Sequence, residues 1–454
     1  MSPTSNLKKQ VFKTCLALGL TAAPLGLSAQ SYIGQTMDNY AGVHALSVNP
    51  ANVYDSPFRT DINLVSVSAF AGSDFISLSF SDLIDAGDGF DFDGDANRHP
   101  SENNHFFTNV DVMGPSFMFN IGDKQSFGLT TRLRGLLNLN NIDGNLYEQI
   151  EEGFDLADDF DFDASELNST THAFAEIGIT YGREILRTQD QFIKAGITLK
   201  YLQGAGGAFI SSPGLSGSYS SLTNNIDTEG SISYGSTPGF DSGDFDGELQ
   251  GGFGADIGAV YEYRKRIMDG KVQGTRAQQY KFKLGLSITD IGSINYKNSE
   301  NTVYDASGDV NALEFETNDD IQEVLENNYP GETTTGDQKI ALPTAFQIMA
   351  DYYIGSRLYV GMHTGLSMRS SAESNANQIV NTVTLAPRFE TKWFSVYSPL
   401  GLRQYGDLAW GLVMRVGPLT VGSGSILTNL ISDNSKNADV YVGLKIPIYK
   451  NVAN

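Results

Sequence analysis

Split by parity, residues 250 to 264 place Phe253, Ala255, Ile257, Ala259, Tyr261 and Tyr263 on one side and Gly254, Asp256, Gly258, Val260, Glu262 and Arg264 on the other. That is period-2 alternation, the mark of a strand with one apolar face. The same split recurs at 171 to 183, 191 to 203, 280 to 289, 345 to 354, 357 to 367, 408 to 416 and 438 to 448. Repetition on this scale predicts an all-β chain, with strands near 60–71, 105–121, 125–137, 170–183, 190–203, 250–264, 279–290, 342–354, 357–370, 379–391, 393–403, 407–417, 418–426 and 438–448. The count, about 14, is even, as in single-chain outer-membrane barrels.

The connections alternate in length. Short ones (122–124, 355–356, Lys392, 417–418) take turns with long ones (72–104, 138–169, 204–249, 291–341), the asymmetry of periplasmic turns and extracellular loops. A transmembrane antiparallel β-barrel over 60–454, with its long loops outside and 265–278 as a longer, basic periplasmic turn, follows from this register. Aromatic position supports it. Tyr181, Phe192, Tyr261, Tyr280, Tyr352, Tyr359, Trp393 and Phe394 flank the connections read as periplasmic and predict one interfacial girdle.

On the other parity the strands collect Arg132, Arg134, Lys194, Lys200, Asp256, Glu262, Arg264, Lys281, Lys283, Asp351, His363, Arg388, Glu390, Arg415 and Lys445. Charges of both signs facing inward predict a wet lumen or one filled by a polar plug. They act either as a cross-barrel ion-pair lattice or as the lining of a selective path. No clearly apolar pocket is evident on that parity.

Composition agrees with a barrel: glycine 48, aromatic residues 11%, charged residues 18%, and no second apolar run long enough for a membrane helix. The net charge of −23 excludes nucleic acid as a partner. Lys8, Lys9 and Lys13 followed by TCLALGLTAAPLGL and Leu27-Ser28-Ala29 read as a signal peptide over 1–29, cleaved before Gln30, which predicts export to the outer membrane. The only cysteine, Cys15, lies in that leader, so the exported chain carries no disulfide and no thiolate metal site.

Residues 30 to 59 lack sustained alternation and contain Pro50 and Pro57. They are expected to form a plug in the periplasmic half of the lumen, with Arg264, Lys283 and Arg415 as partners and Asn49-Pro50-Ala51 close to the wall. Asp91, Asp93 and Asp95 in FDFDGDAN are spaced as calcium ligands are, but FDFD returns at 160–163 and further carboxylates crowd 239–248 and 305–337. Solvated, mutually repelling surface loops account for all four stretches, and no metal site or cofactor is assigned. The five histidines are scattered and no serine sits in a Gly-x-Ser-x-Gly turn, so an enzyme is not expected.

The stretch NYAGVHALSVNPANVYDSPFRTDINLVSVSAF, with Asn49-Pro50-Ala51 just before the first strand, resembles the long-chain fatty acid transporter (FadL-like) barrels. The C-terminal run GDLAWGLVMRVGPLTVGSGSILTNL with ADVYVGLKIPI looks like the end of a Bacteroidota-type outer-membrane barrel family of unknown function. The resemblance implies 14 strands, an N-terminal hatch in the lumen and transport or binding of small, in that family hydrophobic, ligands. Tyr441, Gly443, Ile446 and Ile448 look like a signal for the barrel-assembly machinery. The other reading is a non-transporting accessory barrel, whose long loops and basic turn dock protein partners in an envelope secretion or assembly complex.

Overall fold

In this computed structural model, residues 32–77, 79, 97–154, 158–238, 240, 250–264, 280–317 and 321–450 are described. The leader, Asp91, Asp93, Asp95 and the 265–278 turn lie outside them. Fourteen antiparallel strands form a closed barrel. They are β1 (Phe58–Ser73), β2 (Asn104–Met113 and Ser116–Ile121), β3 (Gln125–Ile142), β4 (Asn168–Arg187), β5 (Gln191–Ser211), β6 (Ser231–Ser236 and Gln250–Tyr263) and β7 (Phe282–Asp305). The second half is β8 (Gly331–Ala341 and Ala345–Gly355), β9 (Leu358–Ser367), β10 (Thr382–Glu390), β11 (Phe394–Tyr397 and Leu400–Arg403), β12 (Gly406–Trp410 and Leu412–Val416), β13 (Leu419–Ser423) and β14 (Asn437–Tyr449). Each strand pairs with its sequence neighbour, and β1 closes on β14 from Phe58↔Tyr449 to Gly72↔Asn437.

The alternation decides which side of each strand is wet. Ile177, Ile179, Leu199, Ile257, Leu286, Leu385, Leu402, Met414, Leu444 and Ile446 are all exposed on the outer surface, Leu199 by 62%. The intervening positions, among them Glu176, Lys200, Asp256, Arg388 and Arg415, are buried inside. A water-soluble protein would bury the first set and expose the second. This inversion is what a bilayer around the barrel requires.

The expected girdle divides. Tyr352 and Trp393 are exposed at the rim that carries the short connections and Tyr181 and Tyr261 stand half-buried near them, but Phe192, Tyr280 and Tyr359 are buried and point into the lumen. Parity explains two of these corrections. Phe192 shares the side of Lys194, and Tyr359 that of His363. Tyr280 precedes the first residue of β7, where alternation no longer applies. For the same reason Lys281 is not luminal: its Nζ lies 4.4 Å from the centre of the Tyr352 ring and donates to Tyr353 O at 2.6 Å, at the rim.

The strands run far past a membrane. β7 alone has 24 residues, about 80 Å of extended chain, where 9 to 11 suffice to cross. Beyond the wall the loops fold together. Phe160–Asp163, Ser216–Ser220, Asn225–Glu229 and Gly308–Asn311 form a four-stranded antiparallel sheet, joined by helices α1 (Gly144–Glu152), α2 (Leu313–Thr317) and α3 (Ile321–Asn328). Phe162, Tyr219 and Ile226 with Phe154 and Ala312 make its core, while Asp161, Asp163, Asp227 and Asp309 face solvent. The second FDFD motif is therefore an alternating strand of a folded cap, which replaces the picture of repelling, solvated loops for this segment. Its solvent side carries the acids.

Candidate functional site: the plugged lumen

Residues 32 to 57 lie inside the barrel as three short 3-10 turns, Gln35–Met37, Gly42–Ser47 and Pro50–Val53, nearly every residue buried. Asn49 caps the last turn: its Oδ1 accepts from Ala51 N at 3.0 Å and Pro50 follows at the first position, where a missing N–H costs nothing. Its Nδ2 donates to the wall carbonyls of Ala259 (3.2 Å) and Leu286 (3.1 Å). The wall makes room with small residues. A Cβ on Gly196 would stand 2.6 Å from the Pro50 backbone, and one on Gly258 would overlap Asn49. Gly42, at φ +66°, turns the chain so that Val43 N donates to Asp61 at 2.9 Å.

Wall cations hold the plug at its carboxylates and carbonyls. Arg415 Nε donates to Asp38 at 3.0 Å, with Tyr397 bonded to the same carboxylate. Arg264 pairs with Asp55, Lys194 Nζ reaches Tyr54 O at 2.6 Å and Lys445 Nζ reaches Tyr40 O at 2.5 Å. Lys283 donates to Asn39 at 3.2 Å. Around them Arg388 bridges Asp351 and Glu390, at 2.5 and 3.0 Å, and Glu262 pairs with Arg264 at 2.5 Å. Within the plug, burial lowers His44 to about 3, so its ring is neutral and bonded to Ser66 at 2.8 Å.

A second charged layer lies in the wall above the plug. Arg132 pairs with Asp111 and Glu176, Arg134 with Glu176 (3.6 Å) and Asp290 (2.9 Å), and Lys200 with Asp256 (2.8 Å) and Asp290 (2.6 Å). Next comes an apolar layer of Leu136, Phe174, Leu202, Ile294, Tyr296, Ile340 and Leu342, which corrects the reading of an inward parity without apolar lining, since Leu136, Phe174 and Leu202 share the inward side of Arg134, Glu176 and Lys200. The β9–β10 connection, 368–381, folds inward beside it. There Asn377 donates to Asn138 (3.0 Å) and Thr170 O (3.1 Å), and Gln378 N to Asn138 (2.9 Å). Between plug and connection remains a cavity of about 90 Å³, lined in part by Thr36, Arg132, Arg134, Asp290, His363 and Val380.

Among the described residues the wall has a seam without strand pairing beside β13. β13 ends at Ser423, so the upper parts of β12 and β14 have no strand between them. Helix α4 (Ile426–Ile431) fills the place, held by Asp439, which accepts from Gly424 N (2.6 Å), Ser425 Oγ (2.8 Å) and Arg403 (2.7 Å). Trp410 N donates to Thr428 Oγ1 at 2.7 Å on the other side.

Of the charged residues read as luminal, all but Lys281 are buried in or at the edge of these layers, and His363 bonds Gln347 at 2.9 Å. The reading missed their partners, Asp38, Asp55, Asp61, Asp111, Glu176 and Asp290. Asp111 and Glu176 had a signal, since both lie on the inward parity of strands already identified. Tyr441 and Gly443 face the lumen, Tyr441 donating to Ile33 O of the plug at 2.6 Å, whereas Ile446 and Ile448 are exposed on the outside.

A family model described as a family of unknown function, DUF5723, matches residues 50–424. No curated protein matches the sequence. Among solved structures the chain is similar to the TodX monoaromatic hydrocarbon channel deltaS2 mutant, at 10% identity and a TM-score of 0.47 over 91% of this chain and 95% of that one. It is also similar to the Pseudomonas putida toluene transporter TodX, at 10% identity and a TM-score of 0.42 over 92% and 97%. The translocator domain of the autotransporter NalP from Neisseria meningitidis matches at 7% identity and a TM-score of 0.30 over 88% and 91%. At these scores the likenesses add nothing to what the strands already show.

Proposed function

The chain belongs to the DUF5723 family, and we propose that it is an outer-membrane barrel that binds and passes a small molecule through a lumen closed at rest. One observation carries this reading: a cavity lies in the middle of the lumen between two segments that are not wall, the 32–57 plug and the 368–381 connection. A 14-strand wall is too wide to close on its own side chains, as about eight strands do, so something must fill it. Here the filling is mixed, packed on the wall by apolar clusters, bonded to it by hydrogen bonds and ion pairs, and attached by chain at one end or both. Export by the 1–29 leader and recognition of Tyr441, Gly443, Ile446 and Ile448 by the barrel-assembly machinery belong to the same proposal.

Removing residues 31–56 is expected to leave the barrel assembled, seen as a heat-sensitive shift in gel mobility, and to raise single-channel conductance in planar bilayers. Unchanged conductance in an assembled barrel removes the transport reading. The folded cap favours a second reading, an accessory barrel that docks an envelope protein on its extracellular sheet. In that case, disrupting the cap abolishes complex formation while the plug deletion has no effect on function.

A further inference from the structure

The cations of the wall fall into two populations. Inside the lumen Arg132, Arg134, Lys200, Arg388, Arg415 and Lys445 each pair with a carboxylate. At the rim that carries the short connections, Arg59, Arg183, Lys281, Arg357 and Lys392 have no carboxylate partner among the described residues. The opposite end offers nothing comparable, since 143–167, 212–230 and 305–330 contain no lysine or arginine.

The rim cations continue the apolar surface of the wall. In β4 the outward positions run Ile177, Ile179, Tyr181, Arg183, and in β14 they run Leu444, Ile446, Ile448, Lys450. Each row passes from aliphatic to cationic over its last positions, the change of chemistry met on leaving acyl chains for headgroups.

At one point the cation is fixed. Lys392 sits in the tight β10–β11 turn, where Thr391 N donates to Phe394 O at 2.7 Å, and its own carbonyl accepts from Tyr449 Oη at 2.6 Å and from Arg415 Nη1 at 3.2 Å. Its Nζ stands 4.5 Å from the centre of the Tyr449 ring and 5.8 Å from that of Trp393, which is 60% exposed. Two rings, themselves 5.8 Å apart, hold the ammonium without cancelling its charge. Val416, on the strand paired with Phe394, and Ile448 extend an exposed apolar surface beside it.

We propose that the Lys392, Trp393 and Tyr449 patch binds the phosphate headgroup of an anionic phospholipid, with the lipid's acyl chain lying along Val416 and Ile448. An uncompensated ammonium complements the phosphate, the indole sits at the boundary between headgroup and chain, and the apolar row takes the hydrocarbon. The assignment rests on the barrel's place in the outer membrane and is independent of whether the lumen passes a solute.

Fluorescence quenching by brominated lipid tests it. The chain has two tryptophans, so Trp410→Phe leaves Trp393 as the reporter. In phosphatidylcholine vesicles carrying brominated phosphatidylglycerol or brominated phosphatidylcholine, the anionic lipid is expected to have about a fivefold advantage at Trp393, lost in Lys392→Gln and on raising the salt. Lys281→Gln, beside Tyr352 on the same rim, is expected to leave that advantage unchanged. Equal quenching by the two lipids overturns the proposal, and so does a preference that survives Lys392→Gln. A preference abolished by inorganic phosphate would show a site for the free ion and overturn the lipid assignment. Should Trp410→Phe fail to assemble, native mass spectrometry of the unaltered chain and of Lys392→Gln decides: fewer retained phosphatidylglycerol molecules in the variant support the site, and equal numbers overturn it.

Discussion

The two ends of the molecule differ in what is added to their apolar packing: the plug end carries buried ion pairs and the cap core does not. At the plug end, apolar clusters such as Tyr40, Val43, Leu46 and Val53 with Phe58, Met113 and Met118 are joined by buried ion pairs and lysine–carbonyl bonds, from Arg415 to Asp38, Arg264 to Asp55, Lys194 to Tyr54 O and Lys445 to Tyr40 O and Ala41 O. In the extracellular cap the contacts are apolar: Phe154, Phe162, Tyr219 and Ile226 in one cluster, and Tyr304, Val310, Leu325 and Tyr329 in another. The plug end tolerates no loss of a partner, because what remains is a buried charge. The cap end loses only packing, in proportion to the atoms removed. The plug's polar contacts can be re-solvated if water enters the lumen, whereas its apolar contacts, like the cap core, are lost only by exposing apolar surface.

The largest expected effect tests the polar end. Arg388→Leu leaves Asp351 and Glu390 buried without the guanidinium that bridges them, and is expected to destabilise the folded barrel by about 3–5 kcal/mol in urea titrations in micelles. Lys283, 3.9 Å from Asp351, is too distant to replace it. If Arg388→Leu unfolds with the wild-type midpoint, the buried lattice is not what stiffens this half.

Phe162→Ala in the cap is the matching change at the other end, expected to cost about 3 kcal/mol of local stability. Phe162 lies in the cap's own cluster, away from the contacts of Tyr147 with Phe75 and Phe106 that tie the cap to the wall, so the loss is expected in protease sensitivity near 160–163 before the unfolding of the wall. A fall in barrel stability equal to that of Arg388→Leu would show that cap and wall form one cooperative unit, and the contrast between the two ends would then fail.

The ends also differ in how much of them the sequence reveals. The wall is legible because each strand carries its own alternation, and a one-residue slip would move every side chain to the wrong face. The luminal cations were legible for the same reason, Lys281 and Tyr280 failing only where the strand stops. The plug was marked by what it lacked, namely alternation, and by Pro50 and Pro57. The cap was not legible. Its four short strands come from three separate loops, Phe160–Asp163, Ser216–Glu229 and Gly308–Asn311, and each is too short to display a period. Their acids, conspicuous in the sequence, face solvent, while the alternating Phe160, Phe162, Tyr219 and Ile226 that build the core went unread. The α4 seam was equally hidden, since a five-residue β13 followed by Gly424 and Ser425 looks like an ordinary strand end.

A smaller effect is expected at the junction between plug and wall. Asn49→Ala removes two bonds to wall carbonyls and the cap of the Pro50–Val53 turn, a loss of about 1–2 kcal/mol in plug seating. Gly196→Val reaches the same contact from the wall side by steric conflict with Pro50. Both are expected to raise the frequency of brief conductance openings without changing barrel stability. Openings in neither variant would show that the plug is held by its charges alone.

The smallest effect concerns pH. His44 is buried in the plug between Ser66 and the Tyr32 ring, and burial, with a smaller push from Lys445, lowers it from an ordinary value near 6.5 to about 3. The folded state therefore binds this proton less readily than the unfolded segment. The stability that comes from keeping the ring neutral is complete above about pH 6.5 and is lost progressively as pH falls toward about 3. Acid should loosen the plug end and spare the cap, whose core contains no histidine. The check is maleimide labelling of a cysteine placed at Asn52, followed between pH 7 and 4 in the full chain and in the same chain carrying His44→Phe. Labelling that rises with acid in the first and stays flat in the second supports the assignment. An equal rise in both assigns acid sensitivity to the carboxylates Asp38, Asp55 and Asp61 instead.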